Sequence, residues 1–244
     1  MGEAKRKKEL AGDDPLRGKN VSLCLMAYRD VEPDTVDCLI RDTLRLSTKC
    51  MVHYRRSSND ALVQRARSKI ATQFLESSDE LCIMIDHDMW WTGPTQTYEG
   101  DIERLLRTAL KTRGIAGGVV AKRGFGKGIA CRFPEDSKHD FTTGEDYVTP
   151  CLYVGSAFIA FHRDALEAIL PQTINSRGEY HTFFGTLDVP CSDKPDMMEE
   201  LSEDWAFCHR AKVAGVPINV DAKPVLGHIG LHTYTIPDAF DAVK

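Results

Sequence analysis

The sequence predicts a single α/β domain with a mainly parallel central sheet. Short apolar runs alternate with amphipathic stretches through the first half of the chain, which is the pattern of strands connected by helices. The length of 244 residues and the hydrophobic fraction of 42% suit one large domain with a substantial core. No apolar run approaches the roughly 18 residues that a membrane span needs.

Buried strands are predicted from short apolar runs. In the first half they are NVSLCLMAY (20–28), KCMVHYR (49–55), ELCIMID (80–86) and GIAGGVVAK (114–122). Ligands of such sheets bind at the carboxyl ends of the strands. The residues that follow these runs are therefore the first candidates for a functional site.

Amphipathic helices are predicted between these strands. Residues 33–46 begin at Pro33 and carry apolar residues at helical spacing. These residues are Val36, Leu39, Ile40 and Leu44. Residues 59–77 predict a second helix, with Asn59 as its N-cap, and residues 100–113 predict a third.

The second half of the chain is less regular. Residues 122–150 and 171–200 are predicted to be long irregular segments, which in compact domains are usually functional. Between them, residues 151–170 predict a strand that continues into a helix. Residues 202–215 predict a helix with Ser202 as its N-cap, and PINVD and PVLGHIG predict short closing strands.

The chain termini and the cysteines indicate the cellular compartment. We expect residues 1–18 to be a flexible, solvated tail. Its basic cluster KRKK is not followed by the apolar stretch of a secretory signal. The eight cysteines contain no C-x-x-C pair, and several lie in apolar runs, as reduced buried thiols do. These features predict a cytoplasmic protein. The net charge of −5 argues against general binding to polyanions.

Two acids follow the third predicted strand. Asp86 and Asp88 can share one face of a strand end, where their charges repel unless a cation lies between them. Mg²⁺ and Mn²⁺ prefer such oxygen ligands and often bind substrate phosphates as well. A solvated turn is the alternative, since D-x-D alone is a weak signal. His228 is either a structural histidine or a nitrogen ligand to the same ion.

Two further features of the sequence have two interpretations each. Glu203 and Asp204 lie in the first turn of a predicted helix, where acids stabilise the helix by about 0.3–1 kcal/mol. Either acid could instead deprotonate an acceptor hydroxyl as a general base. Trp90 and Trp91, after the two aspartates, fit the core as well as they fit stacking on a ligand.

Taken in order, four stretches of the sequence resemble metal-dependent, family-2-like glycosyltransferases of the GT-A fold. The stretches are LMAYRD, NDALVQRARSKIATQFLESSDELCIMIDHDM, VGSAFIAFHRDALEAI and SEDWAFCHRAKVAGVPINVDAKPVLGHIG. The family's A-R-N signature is Ala66-Arg67-Ser68 here, and His87 is the central residue of the D-x-D. The first departure changes the residue that normally makes a polar contact.

The resemblance implies a set of site residues and two functional halves of the domain. It implies a Rossmann-like half (19–121) that binds a nucleoside diphosphate-sugar, expected to be UDP-linked, and an acceptor half (122–244). The implied donor contacts are Ala27, Tyr28, Arg29, Arg67, Asp86, Gly155 and Ser156. The implied ligands of Mn²⁺ or Mg²⁺ are Asp86, Asp88 and His228. Asp204 is the first choice for the catalytic base and Glu203 the second, which favours inversion at the anomeric carbon.

The sequence leaves two other functions and several classes of acceptor open. An inactive nucleotide-sugar-binding module of the same fold and a metal-dependent phosphoryl-transfer enzyme are the two other functions. DNA, a small molecule, a glycan and a protein are all open as acceptors. The short chain resembles soluble phage or bacterial glycosyltransferases, some of which modify hydroxymethylated pyrimidines in DNA, and this would place the protein in a host cytoplasm. Positive charge in the segment expected to face the acceptor comes from Arg123, Lys127, Arg132 and Lys138.

Overall fold

The computed structural model describes residues 14–134, 146–191, 194, 196–230 and 232–240. The strands are β1 (Asn20–Met26), β2 (Met51–Ser57), β3 (Leu81–Asp86), β4 (Met89–Trp91), β5 (Ile115–Gly118), β6 (Cys131–Arg132), β7 (Val148–Pro150), β8 (Tyr153–Val154), β9 (Phe158–His162), β10 (Asn175–Ser176), β11 (Tyr180–His181), β12 (Leu187–Pro190), β13 (Met198–Leu201), β14 (Ile218–Asp221) and β15 (Leu226–His228). The helices are α1 (Pro33–Leu46), α2 (Val63–Glu76), α3 (Asp101–Thr112), α4 (Arg163–Ile169), α5 (Glu203–Val213) and α6 (Ile236–Phe240).

A seven-stranded sheet with the order β2-β1-β3-β9-β5-β14-β7 organises the domain. Strands β2, β1, β3, β5 and β14 point the same way, whereas β9 is antiparallel to both of its neighbours and β7 is antiparallel to β14. The predicted α/β class with a mainly parallel sheet is therefore confirmed. Four short two-stranded ribbons, including β4 with β15 and β6 with β8, complete the described strands.

Helices cover both faces of the sheet, which explains why its strands are continuous apolar runs. Alternate residues of β1 supply the two cores: Cys24 and Met26 pack on the side of α2, while Leu23 and Leu25 pack on the side of α1 and α3. Six of the eight cysteines are buried, and all eight are free thiols, as expected. None of the helices among the described residues has the length and apolar character of a membrane span.

Helix α1 buries only one of the four apolar residues that predict it, Leu39. Val36, Ile40 and Leu44 are 38%, 55% and 69% exposed. The helix instead buries polar residues that bind strand β4: Thr35 Oγ1 donates to the Met89 carbonyl at 2.7 Å, and Asp42 accepts from the Trp91 indole at 2.6 Å. Polar partners on β4 therefore decide the rotation of the helix. Trp91 is fully buried, which places it in the core.

Two predicted boundaries are wrong. Helix α2 begins at Val63, because Asn59 adopts a left-handed conformation (φ 59°) and bonds through its backbone to Tyr28 instead of capping the helix. The predicted tail includes residues 14–18, but these form a turn whose Leu16 is fully buried. The remainder of the tail, residues 1–13, and Lys138 lie outside the described residues.

Candidate functional site

A cavity of about 330 Å³ lies at the carboxyl ends of β1, β2 and β3. Its lining is Met26, Ala27, Tyr28, Ser57, Asp60, Ala61, Val63, Ala66, Arg67, Asp86, His87, Asp88, Arg123, Glu203 and His228. Met26 and Asp86 are direct neighbours across β1 and β3, and the His87 amide donates to the Met26 carbonyl at 3.0 Å. The parallel register thus brings the strand ends, and the polar residues after them, to one edge of the sheet.

Arg67 is the buried centre of this cavity, with 3% of its surface exposed. Its Nη2 donates to both carboxylate oxygens of Asp86 at 2.7 and 2.8 Å, and its Nη1 donates to Glu203 Oε1 at 2.8 Å. Burial by itself lowers the pKa of Arg67, but the two carboxylates outweigh burial and the net pKa is raised. Arg67 Nε is buried without a hydrogen-bond partner among the residues that the structure describes. The guanidinium therefore joins β3 to α5 as a fixed positive charge.

Asp88 and His228 meet because strands β4 and β15 pair. His228 is opposite Met89 in the ribbon, and the Ile229 amide donates to the Asp88 carbonyl at 2.7 Å. The His228 Nε2 atom lies 3.5 Å from Asp88 Oδ2, and Arg123 Nη1 lies 3.3 Å from the same oxygen. Asp88 is 5% exposed. A buried carboxylate thus faces one imidazole and one guanidinium.

The two partners shift each other's pKa in opposite directions. Burial alone would raise the pKa of Asp88, but the hydrogen bond and the charge of His228 outweigh it, and the net pKa is lowered. Burial alone would lower the pKa of His228, but its bonds to Asp88 and to the Ala121 carbonyl raise the net value. The pair therefore favours a charged state of both groups.

The chemistry of Asp88 and His228 fits a divalent cation. His228 Nδ1 lies 3.1 Å from the Ala121 carbonyl, which can only accept, so Nδ1 carries a proton. Loss of the Nε2 proton would then free a lone pair for a cation held together with Asp88. Two neighbouring ligands of Mg²⁺ are about 3 Å apart, which is close to the observed spacing. Among the described residues no group of three His, Cys, Asp or Glu side chains is arranged around one ion. Asp86 is held by Arg67, and its predicted role as a metal ligand stays a prediction.

Glu203 and Asp204 face different surroundings at the start of α5. Glu203 lines the cavity and is paired with Arg67. Asp204 Oδ1 accepts from the Trp205 amide at 2.8 Å and from Ser202, whereas a Cβ built on Gly155 would lie 3.7 Å from Asp204 Oδ2. The same Cβ would lie 2.8 Å from the Ala130 side chain. Any residue larger than glycine at position 155 would therefore have to displace Ala130.

The predicted donor contacts are only partly gathered in the cavity. Ala27 and Tyr28 line it, and Tyr28 is 45% exposed. Arg29 lies against the Tyr28 ring, 5.1 Å from its centroid, rather than in the lining. Gly155 and Ser156 are also outside the lining, although Ser156 Oγ is buried with no partner among the described residues. The structure thus brings Tyr28, Arg67, Asp86, Asp88 and His228 together, with Glu203.

Two charged residues of the cavity lining, Asp60 and Arg123, are not among the predicted site residues. Asp60 precedes α2 and accepts from Arg65 and Lys69, which helps lower its pKa to about 2. Arg123 is predicted to face the acceptor, but it lies beside Asp88 instead. Asp60 could have been predicted as a site residue, because it is an acid between a strand and a helix. For Arg123 no local signal existed, because its position depends on a distant loop contact.

The segment after β15 packs on the glycine-rich loop that contains Arg123. Phe125 contacts both His232 and Tyr234, with ring centroids 5.3 and 5.6 Å apart. The Gly126 amide donates to the Asp238 carbonyl at 2.9 Å. His232 and Tyr234 therefore hold the loop beside the cavity rather than lining it.

Comparison with known proteins gives a fold and no family. No protein-family model and no curated protein matches the sequence. The crystal structure of A197 from STIV superposes with a TM-score of 0.57 at 13% identity, covering 90% of this chain and 91% of that one. UDP-glucose pyrophosphorylase in complex with UDP-glucose gives a TM-score of 0.42 at 12% identity, covering 83% and 72%. The UTP-bound enzyme from Acinetobacter baumannii gives 0.43 at 9% identity, covering 92% and 75%. This chain and A197 therefore share a fold.

Proposed function

We propose that the protein is a metal-dependent glycosyltransferase of the GT-A type, which transfers a sugar from a nucleoside diphosphate-sugar to an acceptor hydroxyl. The observation that carries the proposal is the Asp88–His228 pair in the same cavity as the Arg67–Asp86 pair. The first pair suits a cation and the second suits the polar part of a nucleotide.

The charge of the cavity supports a requirement for a cation. Four carboxylates line the cavity, whereas only two guanidinium groups among the described residues do so. The carboxylates are Asp60, Asp86, Asp88 and Glu203, and the guanidinium groups are Arg67 and Arg123. A diphosphate would be repelled by such a lining unless a divalent cation accompanied it. Asp88 and His228 would hold this Mn²⁺ or Mg²⁺, which supplies charge neutralisation for the leaving diphosphate.

The remaining residues take roles that follow from their positions. Tyr28 is an exposed ring at the cavity wall and suits stacking on the nucleobase. Arg67 fixes the Asp86 carboxylate, which is then oriented for the ribose hydroxyls. Ala27 lines the same cavity. Gly155 lies beside Asp204 and is followed by Ser156, and these two residues would contact the donor sugar.

In the transfer step the acceptor oxygen attacks the anomeric carbon. The bond between that carbon and the β-phosphate oxygen breaks, and the nucleoside diphosphate leaves. Asp204 receives the proton of the acceptor hydroxyl, because its Oδ2 faces Gly155 while the charge of Glu203 is shared with Arg67. Attack opposite the leaving group inverts the configuration of the anomeric carbon.

The products of incubation with UDP-sugars and Mn²⁺ test this function against the alternatives. Release of UDP together with free or transferred sugar, abolished in Asp88→Asn, is the result expected. Release of sugar 1-phosphate, with the uridylyl group freed as UMP or transferred, would show a nucleotidyl- or phosphoryl-transfer enzyme instead. Binding of UDP-sugar without any turnover would show a binding module, and failure to bind UDP at all would refute the proposal.

A further inference from the structure

We infer that the ring pair Tyr153–Trp205, together with Arg132, forms the acceptor subsite and that its ligand is a sugar ring of a carbohydrate. This inference rests on the proposed function and deepens it by naming the acceptor class. It begins from an aromatic stack in which Tyr153 packs against the core on the α2 side of the sheet, whereas Trp205 lies outside both core clusters and outside the donor cavity.

The two rings are stacked, with centroids 4.8 Å apart and planes at 17°. Tyr153 is in β8 and Trp205 is in the first turn of α5. Trp205 is only partly buried and belongs to neither of the two core clusters that the described residues form. A large aromatic ring that is left at the surface beside a candidate site is typical of a binding contact.

The end of strand β8 brings the stack near the predicted base. Gly155 directly follows β8, two residues after Tyr153. The atoms nearest to a Cβ built on Gly155 include Asp204 Oδ2, at 3.7 Å. Trp205 directly follows Asp204 in sequence, and its amide donates to the Asp204 carboxylate. A ring bound on the stack would therefore lie beside Asp204.

Arg132 adds a polar group to the same surface. It is the register partner of Tyr153 in the β6–β8 ribbon, and its guanidinium carbon is 6.0 Å from the Trp205 centroid. The Arg132 side chain is exposed. It can therefore donate hydrogen bonds to an occupant of the stack without leaving its position on the ribbon.

The charge around the stack distinguishes a carbohydrate from a nucleic acid. The neighbouring β12–β13 hairpin packs against α5 through β13, and its two strands carry three acids, namely Asp188, Glu199 and Glu200. Glu199 is near enough to Tyr153 for its charge to act on the phenol. Carboxylates accept hydrogen bonds from sugar hydroxyls but repel phosphodiesters. A flat sugar face on the rings, with its hydroxyls toward Arg132 and the acids, matches this surface.

Saturation-transfer NMR with the full-length protein and a panel of methyl hexopyranosides tests the inference. We expect saturation of the ring protons of at least one glycoside, reduced at least fivefold in Trp205→Ala and retained in Trp205→Phe. Tyr54→Ala is the matched control, because Tyr54 is an exposed aromatic residue on the opposite edge strand and its loss should change nothing. UDP binding measured by calorimetry should stay within twofold of wild type in all variants.

Three outcomes would overturn the inference. One is the absence of saturation of every glycoside by the wild-type protein, and another is an unchanged signal in a folded Trp205→Ala variant. The third is a gel shift of a single-stranded pyrimidine oligonucleotide that depends on Trp205, since this would assign the stack to bases. Loss of UDP binding by the wild-type protein would instead refute the proposed function, so the two failures are separable.

Discussion

His228 Nε2 and Arg123 Nη1 approach the same atom, Asp88 Oδ2, at 3.5 and 3.3 Å. The imidazole comes from β15 and the guanidinium from the loop after β5, so three distant parts of the chain converge on one buried oxygen. Arg123 places a positive charge beside the oxygen that, in the proposed function, would bind the cation. Arg123 and such a cation would therefore compete for Asp88.

This competition predicts tighter metal binding when the guanidinium is removed. The Arg123 side chain is 58% exposed, so its pair with Asp88 contributes no more than about 1 kcal/mol. Arg123→Gln should therefore bind Mn²⁺ about two- to fivefold more tightly in the absence of nucleotide, as measured by electron paramagnetic resonance of free Mn²⁺. Arg113→Gln, which removes an exposed arginine paired with Asp164, is the control. Weaker binding in Arg123→Gln would mean that the arginine assists the metal instead.

Arg67 should be sensitive even to a conservative change. Lysine keeps the charge but cannot bind Asp86 through two bonds and Glu203 through a third. We expect Arg67→Lys to lose about 1–3 kcal/mol of unfolding free energy and to bind UDP at least tenfold more weakly. Chemical denaturation and calorimetry measure the two quantities. Arg45→Lys, at an exposed arginine that lies 3.9 Å from Glu103, should change neither. An Arg67→Lys protein with wild-type affinity would remove Arg67 from the donor site.

Substitutions of the two acids at the start of α5, Glu203 and Asp204, should affect different kinetic constants. Asp204→Asn keeps acceptors for Ser202 and for the Trp205 amide, so the helix start is preserved while the base is lost. We expect its kcat to fall about 10²- to 10⁴-fold with an unchanged affinity for UDP. Glu203→Gln should mainly raise the KM for the donor, because it disturbs the Arg67 network. The reverse pattern would identify Glu203 as the base.

A cluster at the opposite end of the strands should govern stability in acid. Asp79 is fully buried and bonds to Ser22, His53 and Arg55. Burial alone would raise the pKa of Asp79, but these bonds outweigh it and the net pKa is lowered. A depressed carboxyl pKa stabilises the fold above about pH 4, where the unfolded chain ionises, and this contribution is lost as pH falls through the native pKa.

Denaturation across this acid range measures the effect. Asp79→Asn should lose roughly 2–3 kcal/mol near neutral pH, since Arg55 is left without its carboxylate, and should show a flatter stability profile below pH 4. Glu167→Gln, at an exposed pair with Arg163, is expected to follow the wild-type profile. Parallel profiles for wild type and Asp79→Asn would show that other carboxyl groups control acid unfolding.

The sheet was predictable, and so was the position of Asp86 and Asp88 at its carboxyl edge, because buried strands leave a clear apolar pattern in the sequence. Strands such as β1 and β3 are covered on both faces, so they are uninterrupted apolar runs, and Asp86 and Asp88 follow the run directly. The interruption of the parallel sheet by β9 was not predicted. An antiparallel central strand is as apolar as a parallel one, so hydropathy carries no information about its direction.

Other features depend on partners that local sequence does not reveal. The rotation of α1 is set by Thr35 and Asp42 binding β4, a strand too short to give its own signal. The position of Arg123 is set by the packing of its loop on the segment after β15. In each case a polar or aromatic contact between remote segments outweighs the apolar spacing on which helix prediction relies.

The pairing of β4 with β15 also makes the proposed cation site depend on a contact between segments that are distant in sequence. Asp88 precedes β4 and His228 ends β15, so any change that separates the two strands also separates the two proposed ligands. Loss of this ribbon would leave Asp88 with Arg123 alone. An intact ribbon would therefore be a precondition for holding a cation.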